Sequence, residues 1–174
     1  MQNDHELIKE YQNGDRTAFD KIVRNHLSNT IGFFFTITGD RMVAEDLAQD
    51  VFFKLYKHLQ KFRFQSSFST FLYRVNLNTA NSWLTRNKWK NLLRLDHAPD
   101  RGERDTRVED EWHRKELWDE IARLPKKQRS VVMMRVSEEL PYKEISEITG
   151  MSESSAKVNY HHALKSLKEK LKYD

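Results

Sequence analysis

The chain has 174 residues and no cysteine, which excludes disulfide stapling and thiolate metal sites. It is 38% hydrophobic and 32% charged, with only five Gly and three Pro, a composition that suits a charge-rich helical protein and not a hairpin-rich sheet. The net charge is only +4, yet residues 51–95 hold nine basic side chains and no acidic one, between net-acidic stretches at 1–50 and 96–112 and a mildly basic end at 113–174.

The first residues show no basic segment followed by an apolar run, so no secretory signal is expected, and a reducing cytoplasm fits the absence of Cys. Leu7, Ile8 and Tyr11 share one face of a first helix that Gly14 ends. Phe19, Ile22, Val23 and Leu27 mark the apolar stripe of a second. The apolar cluster from Ile31 to Ile37 that follows is too short to span a bilayer. Gly39-Asp40 opens a third helix, whose stripe Val43, Leu47, Val51, Leu55 and Leu59 steps by four, with Glu45, Asp46, Gln49 and Asp50 opposite. Phe62 to Ser69 breaks the period and reads as a loop. Phe71, Leu72 and Val75 restore it in a helix running to about Trp89.

The segment 96–111 has almost no apolar residues and reads as a flexible acidic linker. It separates an N-terminal domain, residues 1–95, from a C-terminal one, residues 112–174. Leu117, Ile121 and Leu124 predict a short helix, Pro125 the start of the next, and Val131, Val132 and Met134 its interior. Pro141 precedes a third helix that Gly150 ends, and Ser152 caps a fourth carrying Ala156, Tyr160, Ala163, Leu164, Leu167 and Leu171. The fold class expected is all-α, as two small helical domains. Two helices joined by a short Gly-containing turn form a helix-turn-helix. That geometry would turn Glu153, Ser154, Ser155, Lys157, Val158 and Asn159 toward a major groove.

Ten of the chain's twenty aromatic residues lie within the carboxylate-free stretch. Helical spacing sends most of these rings, including Phe52, Phe53 and Tyr56, to a core. A positive field interleaved with rings nevertheless suits single-stranded nucleic acid, because phosphates meet the cations and unpaired bases stack on the rings. No catalytic constellation emerges. His161 and His162 are adjacent and diverge on a helix, and no phosphate loop or nucleophile elbow is present. Neither a cofactor, a metal nor an enzymatic activity is expected.

Two blocks together carry a family resemblance. Ala44-Glu45-Asp46-Leu47-Ala48-Gln49-Asp50-Val51-Phe52 with Phe68 to Val75 and Asn78 resembles region 2 of bacterial extracytoplasmic-function (ECF) sigma factors of the sigma-70 family. Leu124-Pro125, Leu140 to Gly150 and Ser152 to Leu171 resemble region 4 of the same group. The resemblance implies a transcription initiation factor that binds RNA polymerase core and directs it to promoters. Asp46, Gln49, Asp50 and Phe53 would face the β′ clamp helices, and the β flap would be a further polymerase contact. Arg63, Phe64, Gln65, Ser66, Ser67, Arg74, Asn78, Arg86 and Lys88 would hold the unpaired non-template strand of the −10 element. Ser152, Glu153, Ser154, Ser155, Lys157, Val158, Asn159 and His162 would read the −35 duplex. An anti-sigma factor would cover these surfaces. Departures from the family pattern are Phe71 for a frequent Trp, Asn81 for a frequent acidic residue, Val158-Asn159 for a frequent Ser-Arg pair, and His162 for a frequent Arg. The competing reading is a self-sufficient helix-turn-helix regulator, which would need a strand-built receiver within residues 1–95.

Overall fold

The structure, a computed structural model, describes the backbone of residues 3–93 and 106–171 and the side chains of 3–87 and 113–171. Its helices are α1 (Asp4–Gln12), α2 (Arg16–Thr38), α3 (Arg41–His58), α4 (Phe68–Leu93), α5 (Thr106–Arg123), α6 (Lys126–Ser137), α7 (Tyr142–Thr149) and α8 (Glu153–Leu171), with a 3-10 turn at Leu59–Lys61. No strand occurs among the described residues, so the all-α expectation holds and the receiver that a self-sufficient regulator would need is missing from them. Helix α5 begins at Thr106, inside the segment read as linker; residues 96–105 of that segment, residues 94 and 95 before it, and the side chains of Lys88, Trp89 and Lys90 lie outside the described residues.

Local chemistry sets the helix ends. A helix start leaves backbone N–H groups without partners, and short polar side chains accept from them. Asp15 accepts from Thr17 N at 2.9 Å, and Asp40 from Met42 N at 2.8 Å. Hydrogen bonds from the Thr17 side chain and backbone hold the Asp15 carboxyl below its ordinary range. Ser67 Oγ accepts from Thr70 N at 3.1 Å, and Ser152 Oγ from Ser155 N at 3.2 Å. At the other ends, Gly39 (φ 67°) and Gly150 (φ 75°) close α2 and α7 in the left-handed conformation.

Helices α1 to α4 enclose Leu7, Ile8, Ile22, Phe33, Phe34, Ile37, Val51, Leu55 and Leu59. Helices α5 and α8 pack on α6, in which every residue from Arg129 to Met134 is buried, and α7 packs on α8. A helix buried all round has neighbours on every side, and α6 meets α2 and α4 as well as α5 and α8. The apolar cores of the two halves are therefore continuous. Four residues expected in the core lie outside it: Leu27, Phe53, Tyr56 and Leu164 are exposed. Phe53 follows the fully buried Val51 by two residues, about 200° around the helix, and so points away from the core.

Candidate functional site

Three exposed surfaces and one internal seam hold the chemistry. The first surface is the outer face of α3. Asp46, Gln49 and Asp50 are all exposed there. Met42 (76% exposed) and Phe53 (61%) lie on either side of them along the helix. Steps of three and four put 42, 46, 49 and 53 on one side of a helix. Lys57 Nζ sits 4.1 Å from the centre of the Phe53 ring, and Glu45 is engaged by Arg41 at 2.8 Å. Asp46 and Asp50 thus share a face with two large apolar side chains that no core element covers. The exposure of Met42 had no sequence signal of its own.

The second surface is the loop between the 3-10 turn and α4. Arg63, Gln65 and Ser67 are exposed, and Ser66 is half-buried. Phe64 adopts a left-handed φ of 56°, which is uncommon for a residue with a Cβ. Its half-buried ring lies 4.2 Å from His5 and 5.1 Å from Phe62, with Lys9 Nζ at 5.9 Å. The ring anchors the loop on α1, while the neighbouring polar residues project outward. Gln12 Nε2 donates to Leu59 O at 2.8 Å and to Phe62 O at 2.9 Å, and Gln60 Nε2 donates to Tyr11 O at 3.1 Å. Tyr11 Oη adds a bond to Tyr56 O at 2.7 Å. Helix α1 is therefore a brace for this loop, a role that sequence periodicity did not signal. On α4 itself Asn78 and Arg86 are exposed.

The third surface is the start of α8. Ser152, Glu153, Ser154, Lys157, Val158 and His162 are exposed. Ser155 and Asn159 are half-buried, and Asn159 Nδ2 donates to Ser155 O at 2.8 Å within the helix. Lys157 Nζ stands 5.7 Å from the Tyr142 ring, whose other approach is taken by the Arg135 guanidinium at 5.1 Å.

The family profile described as Sigma-70 region 2 matches residues 22–90, and that described as Sigma-70, region 4 matches residues 114–167. The RNA polymerase sigma-E factor of Streptomyces antibioticus is 31% identical over 162 residues, 91% of this chain and 87% of its own length. The ECF RNA polymerase sigma-E factor of Haemophilus influenzae is 29% identical over 157 residues, 83% of this chain and 82% of its own. The chain belongs to the ECF group of sigma-70 factors. The solved structure of CnrH in complex with the cytosolic domain of CnrY shares its fold, with a TM-score of 0.64 at 19% identity over 98% of each chain.

In this sigma factor, region 2 and region 4 meet along one face of α4. Arg74 Nε donates to Ile148 O at 2.7 Å and Arg74 Nη2 to Glu147 O at 2.9 Å, both at the end of α7. Tyr73 Oη donates to Glu138 Oε2 at 3.0 Å. Burial pushes the Tyr73 hydroxyl up, as does the nearby Glu138 charge, and burial also raises the Glu138 carboxyl. Deeper in the seam, Arg129 Nε donates to Asn81 Oδ1 at 2.6 Å and Arg129 Nη1 to Ala122 O at 2.8 Å, while Asn81 Nδ2 reaches Ser130 Oγ at 3.3 Å. Asn81 and Arg129 are 6% and 8% exposed, and desolvation pulls the Arg129 guanidinium down from its ordinary range. At the rim, Arg114 lies 5.7 Å from the Phe35 ring and occupies the space where a side chain at Gly39 would start. Arg74, grouped by charge with the −10 candidates, is thus engaged by region 4. Asn81, Arg129 and Tyr73 were not among the expected site residues at all.

Proposed function

We propose that this promoter-specific initiation factor docks on core RNA polymerase through the outer face of α3. The observation that carries this reading is the exposed row Met42, Asp46, Gln49, Asp50 and Phe53. Apolar anchors beside carboxylates suit a protein partner better than solvent, because the apolar groups gain by burial and the charges set orientation. A basic, coiled-coil-like surface such as the β′ clamp helices is the matching chemistry.

The loop at Arg63, Gln65, Ser66 and Ser67, with Asn78, Arg86 and Lys88 on α4, is the −10 reader in this proposal. Exposed cations serve phosphates, and the polar loop tip serves a base taken out of the stack. Phe64 holds the loop's shape, and Arg74, exposed on α4 and bonded to the end of α7, borders this surface. The start of α8 is the −35 reader. Ser154, Lys157 and Val158 face outward from a capped helix N-terminus that favours phosphate. Asn159 contributes by fixing Ser155 and the local helix surface. These partners place the chain in the cytoplasm. CnrH is solved with the cytosolic domain of CnrY, and a comparable anti-sigma partner for this chain would compete for the same exposed faces.

The test is capture of core polymerase by the parent and by Asp46→Ala/Asp50→Ala, with circular dichroism as the folding control. Capture should fall strongly while helicity stays unchanged, since exposed charges contribute little to stability. Equal capture would remove α3 as the docking face.

A further inference from the structure

Tyr56 is a ring that helical spacing sent to the core and that the fold leaves 40% exposed. One side of it is packed: the Phe19 ring meets it edge-on at 5.2 Å, and the Tyr11 ring lies at 5.6 Å. Tyr11 Oη donates to Tyr56 O at 2.7 Å and Gln60 Nε2 to Tyr11 O at 3.1 Å, so the ends of α1 and α3 are bonded together around that ring. Its remaining surface borders a cleft of about 420 Å³, lined by Tyr11, Gly14, Arg16, Tyr56, Lys57 and Gln60. Sites for small ligands span about 300–1,000 Å³. Gly14 contributes no side chain to the cleft, and a Cβ there would meet nothing within 4 Å. Two cations and no carboxylate line it. Asp15, next to Arg16 in the chain, is turned to Thr17, accepting from its N at 2.9 Å and its Oγ1 at 2.7 Å. Lys57 Nζ is steadied 4.1 Å from the centre of the Phe53 ring. None of the six lining residues belongs to the docking row of α3, the loop tip or the start of α8.

We infer that this cleft is a nucleotide site, with a phosphate on Arg16 and Lys57 and a base against the open side of Tyr56. A guanidinium presents two parallel N–H groups to phosphate oxygens, and an ammonium adds a point charge. An aromatic ring already packed on one side loses little freedom when a base stacks on the other, and such stacking tolerates any base. Gln60 is engaged by Tyr11 O and only closes the floor. The same chemistry has two sources. One is an unpaired strand: the cleft opens one 3-10 turn before the loop at Arg63, so a strand held at the loop has only that turn to cross. The other is a free nucleotide. The strand source rests on the reading of the loop as the −10 reader, whereas the free nucleotide does not.

The test follows backbone amide signals of the full chain by nuclear magnetic resonance, titrated with adenosine monophosphate, adenosine, inorganic phosphate and a short mixed-sequence single-stranded DNA. Adenosine monophosphate should shift the amides of Gly14, Arg16, Tyr56 and Lys57, and should bind about tenfold more tightly than phosphate alone. Arg16→Gln/Lys57→Gln changes two exposed side chains and should make the mononucleotide bind no better than adenosine. With DNA the same variant should lower the slope of log affinity against log salt by about 1.4, since each phosphate contact with a single strand contributes about 0.7. Tyr56→Leu keeps the main-chain carbonyl that accepts from Tyr11 and should weaken both ligands about tenfold, with unchanged circular dichroism. Cleft shifts with the mononucleotide support a free nucleotide as ligand, and cleft shifts with DNA alone support the strand. DNA that shifts the loop amides of residues 63–67 but not those of the cleft overturns the site and leaves the −10 reading standing. Cleft shifts without loop shifts do the reverse. No cleft shift with any ligand, or a double variant that matches the parent in affinity and salt slope, overturns the site.

Discussion

Replacing Arg129 by Met tests the interior of the seam. Arg129 lies on α6 and its guanidinium is held from two sides: Asn81 Oδ1 at 2.6 Å from α4, and Ala122 O at 2.8 Å from the end of α5. Met keeps most of the buried volume but donates to neither acceptor. Hydrogen bonds from a charged donor are each worth about 1.5–3 kcal/mol, and a buried acceptor left alone costs a comparable amount. Part of this is offset because the guanidinium no longer needs to be desolvated, the effect already visible in its lowered pKa. The net loss expected is about 2–4 kcal/mol, large for one substitution. Urea unfolding followed by circular dichroism and by tryptophan fluorescence measures it, because Trp83 sits on α4 and Trp118 on α5, one on each side of the seam. A double-mutant cycle with Asn81→Ala isolates the pair, with a coupling of about 1–2 kcal/mol expected. If the two substitutions add to within about 0.3 kcal/mol, the pairing contributes nothing across the seam and the reasoning is wrong.

Glu138 gives a pH signature. Burial raises its folded-state pKa above the unfolded value, so the folded state binds this proton more tightly. Its contribution is therefore most favourable below the unfolded pKa and declines as pH rises through the window between the two values. Glu138→Gln, whose amide oxygen still accepts from Tyr73, should flatten that part of the Tm-against-pH curve and raise Tm near neutrality; identical parent and variant profiles would contradict the burial. Gly39→Ala should destabilise by more than Gly150→Ala. Both meet a left-handed penalty of about 1–2 kcal/mol, but only at Gly39 does Arg114 occupy the site of the new methyl, while nothing approaches Gly150. Adding Arg114→Ala to Gly39→Ala should recover the difference in urea unfolding. Lys157→Ala should weaken duplex binding to all sequences alike and lower the slope of log affinity against log salt by about one; a loss confined to one promoter position would instead assign Lys157 to a base edge.

The helices, their order and most of their ends were legible in the sequence because the signals are local. Asp40, Gly150 and Ser152 act on backbone groups within a few residues, and α3 shows its acidic face by simple spacing. What escaped is long-range and polar. Nothing near Asn81 announces Arg129, and nothing near Gln12 announces the carbonyls of Leu59 and Phe62. Such pairs become visible only when the chain is folded. Charge alone also does not reveal shared use of one cation. Arg74 counts toward a nucleic-acid surface by composition, and its exposed side chain donates to two carbonyls at the end of α7 as well. Phe53 and Phe64 show the same limit for rings: spacing sent Phe53 to the core, and it is exposed, while Phe64 was grouped with the loop tip, and it is pinned to α1.

The way α1 grips the loop before α4 has a consequence for how such a protein can change. Gln12 holds the carbonyls of Leu59 and Phe62, and Gln60 holds that of Tyr11. Every one of these acceptors is main chain, present whatever side chain the residue carries. The exposed residues Arg63 and Gln65 take no part in the brace, so they are free to drift or to be redesigned while the scaffold stays put. Whatever this loop recognises can be rewritten one residue at a time, without a detour through unfolded intermediates.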